Sequence, residues 1–363
     1  MRIIEITIGE ISIPLKSPFV TALRKVTEVS SVIVKVTTNT GHVGYGEAPC
    51  TAQVTGDTKG SIGHAILQHI KPNIMGMEIA DIEKVMHRID KSMRGNSSAK
   101  AAVDIAIYDL YGQLYNAPVY QLLGGHKKEL LTDLTISIGE VDTMIEESRM
   151  AISQGFHVLK IKCGSSGLDD IEKIKKISAA IGSKVKLRID ANQGWGPKES
   201  VRIIKTLEDA GVNMELVEQP VAFWDYRAMA YIAQNVTTPI AADESIFTPR
   251  QAVDLLNMGG ADIINIKLMK TGGIHNALKI CAVAEAYGVE CMIGSMLESN
   301  LSVSAAAHLA GAKRIITKID LDTPLLCQTD AVYGSLKYID DRIKIVGEVG
   351  MGFNKFNTNV VEI

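Results

Sequence analysis

Val158-Leu159-Lys160-Ile161-Lys162-Cys163, Leu187-Arg188-Ile189-Asp190-Ala191-Asn192 and Val217-Glu218-Gln219-Pro220 are short apolar runs, each carrying charge at or near its end. Working outward from them, equivalent run ends fall at Ile136, Lys162, Asp190, Glu218, Asp243, Lys267, Gly294 and Asp320, between 24 and 28 residues apart. That interval holds one strand, one helix and two short loops. Eight repetitions from about Leu131 predict an α/β fold built on a closed parallel barrel. An open doubly wound sheet would favour a glycine-rich phosphate turn after its first strand, and Ile136-Ser137-Ile138-Gly139-Glu140 does not match GxGxxG. No strong helix follows Asp320, so the barrel reads as (β/α)7β and TIM-like.

Upstream the pattern differs. Ile3 to Pro14 and Ser31 to Thr37 are rich in β-branched residues, and Asn39-Thr40-Gly41 turns the chain into His42 to Glu47, a three-stranded meander. Ser97 to Leu114 follows with Ala101, Ala102, Ile105, Ala106, Leu110 and Leu114 at helical spacing. Gly124-Gly125 closes this α+β unit, expected over residues 1–125, with the barrel over 126–329. Leu336 to Ile345 reads as extended, and residues 330–363 are expected to return to the first unit and complete it.

The 363 residues are 46% hydrophobic and 22% charged, which supplies a sizeable core and excludes global disorder. A net charge of −3 gives no general pull toward nucleic acid or anionic lipid. Five cysteines without a CxxC pair, and Glu5 where the apolar region of a signal peptide would stand, predict a cytoplasmic protein without disulfides. No run of about 18 uncharged apolar residues occurs, so no membrane span is expected.

The active site of such a barrel lies at the C-terminal ends of its strands. A lone KxK is ordinarily a solvated strand face, but both faces of a closed-barrel strand are covered, so Lys160 and Lys162 are expected to point into the mouth. Asp190, Glu218 and Asp243 end three adjacent strands. Any one of them could cap a helix, but together they would repel one another without a cation between them. Oxygen ligands with neither Cys nor a suitably spaced His favour Mg²⁺, one per subunit, with Mn²⁺ as a substitute, over Zn²⁺. Lys162 and Lys267 stand on strands two and six, diametrically opposite. One amine there can take a proton from a carbon acid and the other can return it to the opposite face, inverting the centre, while the metal and Lys160 stabilise an enediolate. Each lysine must be unprotonated to act as base, and burial with a second ammonium nearby is expected to push its pKa down.

These residues resemble the enolase superfamily, in its muconate-lactonizing-enzyme-like subgroup and there the dipeptide epimerases; a Lys or His base with Mg²⁺ is a known pattern of such sites. The KxK, DAN, VEQP, ADES and INIK motifs occur in order, and the likeness spans the chain from a capping domain through the barrel. It implies Asp190, Glu218 and Asp243 as Mg²⁺ ligands, Lys162 and Lys267 as acid/bases, and Lys160 as a contact to the substrate carboxylate. It further implies that Asp320 and Asp322, a DxD at the end of strand eight, hold the α-ammonium of a small dipeptide. Arg24, in Thr21-Ala22-Leu23-Arg24, would take a glutamate side chain by its guanidinium fork. Thr135, Asn192, Ser295 and Glu298 are the remaining expected pocket residues, and Thr51 to Asp57 an expected lid. The expected reaction is epimerisation of L-Ala-L-Glu to L-Ala-D-Glu by a homo-oligomer, in recycling of cell-wall peptide. Epimerisation of apolar dipeptides, o-succinylbenzoate synthesis and N-acylamino-acid racemisation are the alternatives, the last two lacking a free ammonium for the DxD. A binding module without catalysis would have no use for so many inward charges.

Overall fold

The computed structural model describes every residue except Leu23 and Ser166. Eight parallel strands run in sequence order round one sheet: Leu134–Ile136, Val158–Lys162, Lys186–Asp190, Met214–Glu218, Ile240–Ala242, Ile263–Ile266, Glu290–Gly294 and Ile316–Asp320. Every expected strand end lies within one residue of an observed one. The sheet closes where Thr132, just before strand one, bridges in parallel to Ile319 on strand eight. After strand eight only the four-residue helix Thr323–Leu326 forms, as the (β/α)7β reading expects. Leu216, Ala241, Ile263 and Met292, from strands four to seven, make a small apolar cluster of their own. The Arg188 guanidinium ties strand three to both ends of the closure, donating to Asp133 Oδ2 and to the Ile319 carbonyl at 2.8 and 2.7 Å.

The N-terminal sheet is antiparallel and longer than the sequence suggests. Its first strand, Ile3–Val20, passes through Pro14 and pairs with Lys25–Thr38, whose partner in turn is Val43–Pro49. Proline ends most strands because it cannot donate to the ladder; here the register shifts between Pro14 and Phe19 and the hairpin resumes beyond it. That resumption carries Phe19 and Arg24 to the barrel mouth. Val361–Glu362 adds a fourth strand beside the first. The hairpin of Leu336–Ile339 and Arg342–Ile345 pairs instead with Glu129–Leu131, forming a separate small sheet.

Helix Ser97–Leu114 packs against Val43–Pro49 at two alternate glycines on one face of that strand. A Cβ on Gly46 would sit 1.8 Å from the Ala102 carbonyl oxygen, and one on Gly44 would sit 2.2 Å from that of Ala106. Gly46→Ala therefore forces the helix off the sheet. Overpacking of this kind costs about 1–3 kcal/mol, so the thermal midpoint is expected to fall while metal affinity is unchanged. An unaltered midpoint would show the contact to be compliant.

Buried acids join the two units: Asp104, on helix Ser97–Leu114, accepts from Ile274 N and His275 N of the barrel at 2.7 and 3.2 Å, and a second lies on the sheet. Glu47, on Val43–Pro49, accepts from Ser31 Oγ at 2.7 Å within its own sheet. From the barrel it accepts Ser299 N, Ser299 Oγ and Ser302 N at 2.8, 2.6 and 3.1 Å. Ser299 is the N-cap of helix Asn300–Ala312, so a carboxylate of the first unit meets orphan amides of a barrel helix, where the helix dipole also favours negative charge. Among the described residues no helix is long and apolar enough to cross a membrane.

Candidate active site

A cavity of about 620 Å³, counting its open mouth, lies at the C-terminal ends of the strands. Its walls include Thr135, Lys160, Lys162, Asn192, Asp243, Lys267, Ser295, Asp320 and Asp322 from the barrel, and Phe19, Arg24 and Val54 from the N-terminal unit. Most of the expected site residues thus share one space. Val54 is the contribution of the segment Thr51 to Asp57. Leu23, within the expected Arg24 segment, lies outside the described residues.

Glu298 requires correction. It does not line the cavity: its carboxylate turns back to accept from Met296 N and Ser302 Oγ, bracing the start of helix Asn300–Ala312. It stands beside the N-cap Ser299, where one loop amide and one first-turn hydroxyl take up its oxygens.

Asp190 and Glu218 are fully buried beneath lysine ammonium groups rather than open to the cavity. Lys160 Nζ lies 3.1 Å from Asp190 Oδ2, 2.7 Å from Glu218 Oε2 and 2.7 Å from Asp320 Oδ2. Lys162 Nζ meets Asp190 Oδ2 at 2.6 Å, with the Phe19 ring centroid 6.0 Å away. Lys267 Nζ meets Asp243 Oδ2 at 2.7 Å, and Lys270 Nζ meets Asp243 Oδ1 at 2.6 Å. The cations between the three acids are therefore lysines in this structure.

At Lys160 and Lys267 this pairing reverses the expected direction of the pKa shift. Burial disfavours the Lys160 and Lys267 ammonium groups, but the carboxylates outweigh it, Asp320 and Glu218 foremost for Lys160 and Asp243 for Lys267, and both are raised. Opposite charges in contact act more strongly than like charges across the cavity. Glu218 is pushed up to about 7 by burial and by the neighbouring Asp190 charge.

The donor set suits a hard divalent cation. Glu218 Oε2 and Asp243 Oδ1, though close to ammonium groups, lack aligned hydrogen bonds, and Asn192 Oδ1 and Glu244 Oε2 are buried without a partner among the described residues. All are oxygens, as Mg²⁺ prefers. A divalent ion bound by Glu218 would relieve the burial cost that raises its pKa.

The expected Asp320/Asp322 pair is joined by a third acid, Asp133, that the sequence does not reveal. Asp133, Asp320 and Asp322 place carboxylate oxygens within 4.8 Å of one another, all buried. Asp322 Oδ2 accepts from Thr135 N at 2.6 Å, which sets this cluster against the Thr135 wall of the cavity. Asp133 precedes strand one in Leu131-Thr132-Asp133, where a lone acid reads as a turn residue. Lys270 and Glu244 were missed likewise, lying three residues and one residue after Lys267 and Asp243, in positions that ordinarily face solvent.

Residues 3–124 match the family model of the mandelate racemase / muconate lactonizing enzyme N-terminal domain, and residues 143–355 that of the enolase C-terminal domain-like family. An L-Ala-D/L-Glu epimerase of Clostridium acetobutylicum is 52% identical over 98% of this chain and 100% of its own. A hydrophobic dipeptide epimerase of Enterococcus faecalis is 41% identical over 98% of this chain and 100% of its own. Among solved structures, a substrate-liganded complex of the L-Ala-D/L-Glu epimerase from Bacillus subtilis superposes with a TM-score of 0.97 at 47% identity, covering 98% of this chain and 100% of that one. A dipeptide epimerase from Enterococcus faecalis complexed with Mg and L-Leu-L-Tyr gives 0.94 at 40% identity, with the same coverage. The chain belongs to the enolase superfamily, in its muconate-lactonizing-enzyme-like subgroup, and is an isomerase of the dipeptide epimerase kind.

Proposed function

We propose that this epimerase converts L-Ala-L-Glu to L-Ala-D-Glu by a two-base proton transfer, with Mg²⁺ held by Asp190, Glu218 and Asp243. The observation that carries the reading is the placing of Lys162 and Lys267 on strands four apart, both lining one cavity with the three acid-bearing strands between them. The ion, when bound, supplies positive charge against the charge that develops on the substrate carboxylate. Lys162 takes or returns the α-proton on one face of the substrate and Lys267 on the other. Lys160 adds a fixed ammonium that strengthens as the carbon acid ionises. Asp320 and Asp322, with Asp133 behind them, receive the α-ammonium; three gathered carboxylates disfavour a substrate whose nitrogen is acylated. The relatives named for L-Ala-D/L-Glu support the same substrate, and a cytoplasmic role in recycling cell-wall peptide follows from it.

The glutamate preference rests on Arg24. Its side chain lines the cavity, burial lowers its pKa from the ordinary value, and it has no carboxylate partner among the described residues. Arg24→Ala should lower kcat/KM for L-Ala-L-Glu by about 10² or more, since breaking one side of a buried charge pair costs a few kcal/mol. Apolar dipeptides should lose little. Equal losses for acidic and apolar dipeptides would leave the epimerase without a stated side-chain preference.

A further inference from the structure

The three acids proposed to hold the metal end different strands, and their spacing requires a device that fixes those strand ends relative to one another. Gln219, which follows Glu218, is fully buried and touches the backbone after all three. Its side-chain Oε1 accepts from Asp243 N at 2.9 Å and from Ser245 N at 3.2 Å, both at the end of strand five. Nε2 donates to Val221 O and to Ser245 Oγ, each at 2.9 Å. The amide therefore uses both donors and both acceptor sites, leaving it no freedom to turn. The main chain completes the tie: Gln219 N donates to Ala241 O at 2.9 Å, and Gln219 O accepts from Gln193 N, beyond strand three, at 2.8 Å.

The backbone here is not one glutamine adopts for itself. Gln219 has φ of +37°, and Asn192 and Gln193, beyond Asp190, have +41° and +69°. Left-handed conformations at non-glycine residues persist where surrounding contacts over-determine them. The residues beside Asp190 and Glu218 meet that condition, and the Gln219 side chain supplies much of the determination.

We infer that Gln219 is a positioning residue, which sets the distances among Asp190, Glu218 and Asp243 and thereby the fit of the site to a small divalent ion. It touches neither substrate nor metal and acts through the backbone of its neighbours. The inference rests on the proposed metal site.

The test uses the selectivity of metal binding. Mg²⁺ demands near-ideal octahedral geometry at short distances, whereas Ca²⁺ accepts longer and more variable ones. Metal-free full-length Gln219→Ala, titrated calorimetrically with MgCl₂ and separately with CaCl₂, should lose about tenfold or more in Mg²⁺ affinity and distinctly less in Ca²⁺ affinity. Ser245→Ala, which deletes one hydroxyl of the network and keeps the backbone donor, should shift the ratio in the same direction by less. It decides the matter if Gln219→Ala does not fold. Equal losses for both ions, or no loss for either, would overturn the positioning role while leaving the metal site intact. Failure of the unaltered protein to bind Mg²⁺ would overturn the metal site and the positioning role together.

Discussion

Lys267→Ala is expected to abolish epimerisation while leaving half of the proton chemistry. A positioned general acid or base contributes about 10²–10⁴ to rate, and loss of the cavity-lining amine on one face removes the whole of the inverting step. Lys162 is anchored independently, by Asp190 at 2.6 Å and beside Phe19, and nothing in its contacts depends on Lys267. In D₂O the variant should therefore exchange the α-proton of the one isomer whose C–H faces Lys162, with retention. Lys162→Ala should do the converse, exchanging the other isomer against Lys267. Mass gain read separately for the L,L and L,D dipeptides, with optical rotation for inversion, distinguishes the outcomes. Normal epimerisation by either variant would end the two-base mechanism.

Removal of divalent ions should be as severe for activity and mild for the fold. Chelated protein is expected to turn over at the assay floor and to recover on addition of Mg²⁺. It should keep its secondary structure, because Lys160, Lys162 and Lys267 already neutralise the three acids in this structure. Glu218→Gln separates the two roles of that residue. The Asn265 Nδ2 donor, 2.8 Å from Glu218 Oε1, keeps an acceptor in the amide, and a group with its pKa near 7 gives up little stability on becoming neutral. Mg²⁺ affinity should nonetheless fall by about 10² through loss of a charged oxygen ligand. Full activity in metal-free protein would refute the assignment of the three acids.

The strand ends were readable because a barrel imposes a period, and the polar residue closing each apolar run marks the mouth. Helix Ser97–Leu114 was readable for the same kind of reason, its alanines recurring at helical spacing along the face that meets Gly44 and Gly46. Contacts that no period records were less legible. Strand Ile3–Val20 runs past Pro14 because a register shift absorbs the proline, and a local rule sees only the proline. The direction in which Glu298 points depends on where its helix begins, to within one residue. The raised lysines are a third case: charge type is written in the sequence, but the 2.7 Å approach of Lys160 to Glu218 and Asp320 and of Lys267 to Asp243 decides the sign of the effect, and distance is not.

The Glu47 junction bears on how specificity in such a protein can change. The docking of the N-terminal unit onto the barrel draws on two buried carboxylates, Glu47 on the amides of Ser299 and Ser302 and Asp104 on those of Ile274 and His275, neither of them in the hairpin that presents Phe19 and Arg24. Both acids that hold the units together are thus distinct from the side chains that line the cavity. Side-chain changes at Phe19 or Arg24 leave these two carboxylate contacts in place, and a transplanted N-terminal unit from a relative with another preference should seat correctly provided it brings both acids. Domain exchange, rather than piecemeal replacement of pocket residues, becomes the economical route to a new substrate.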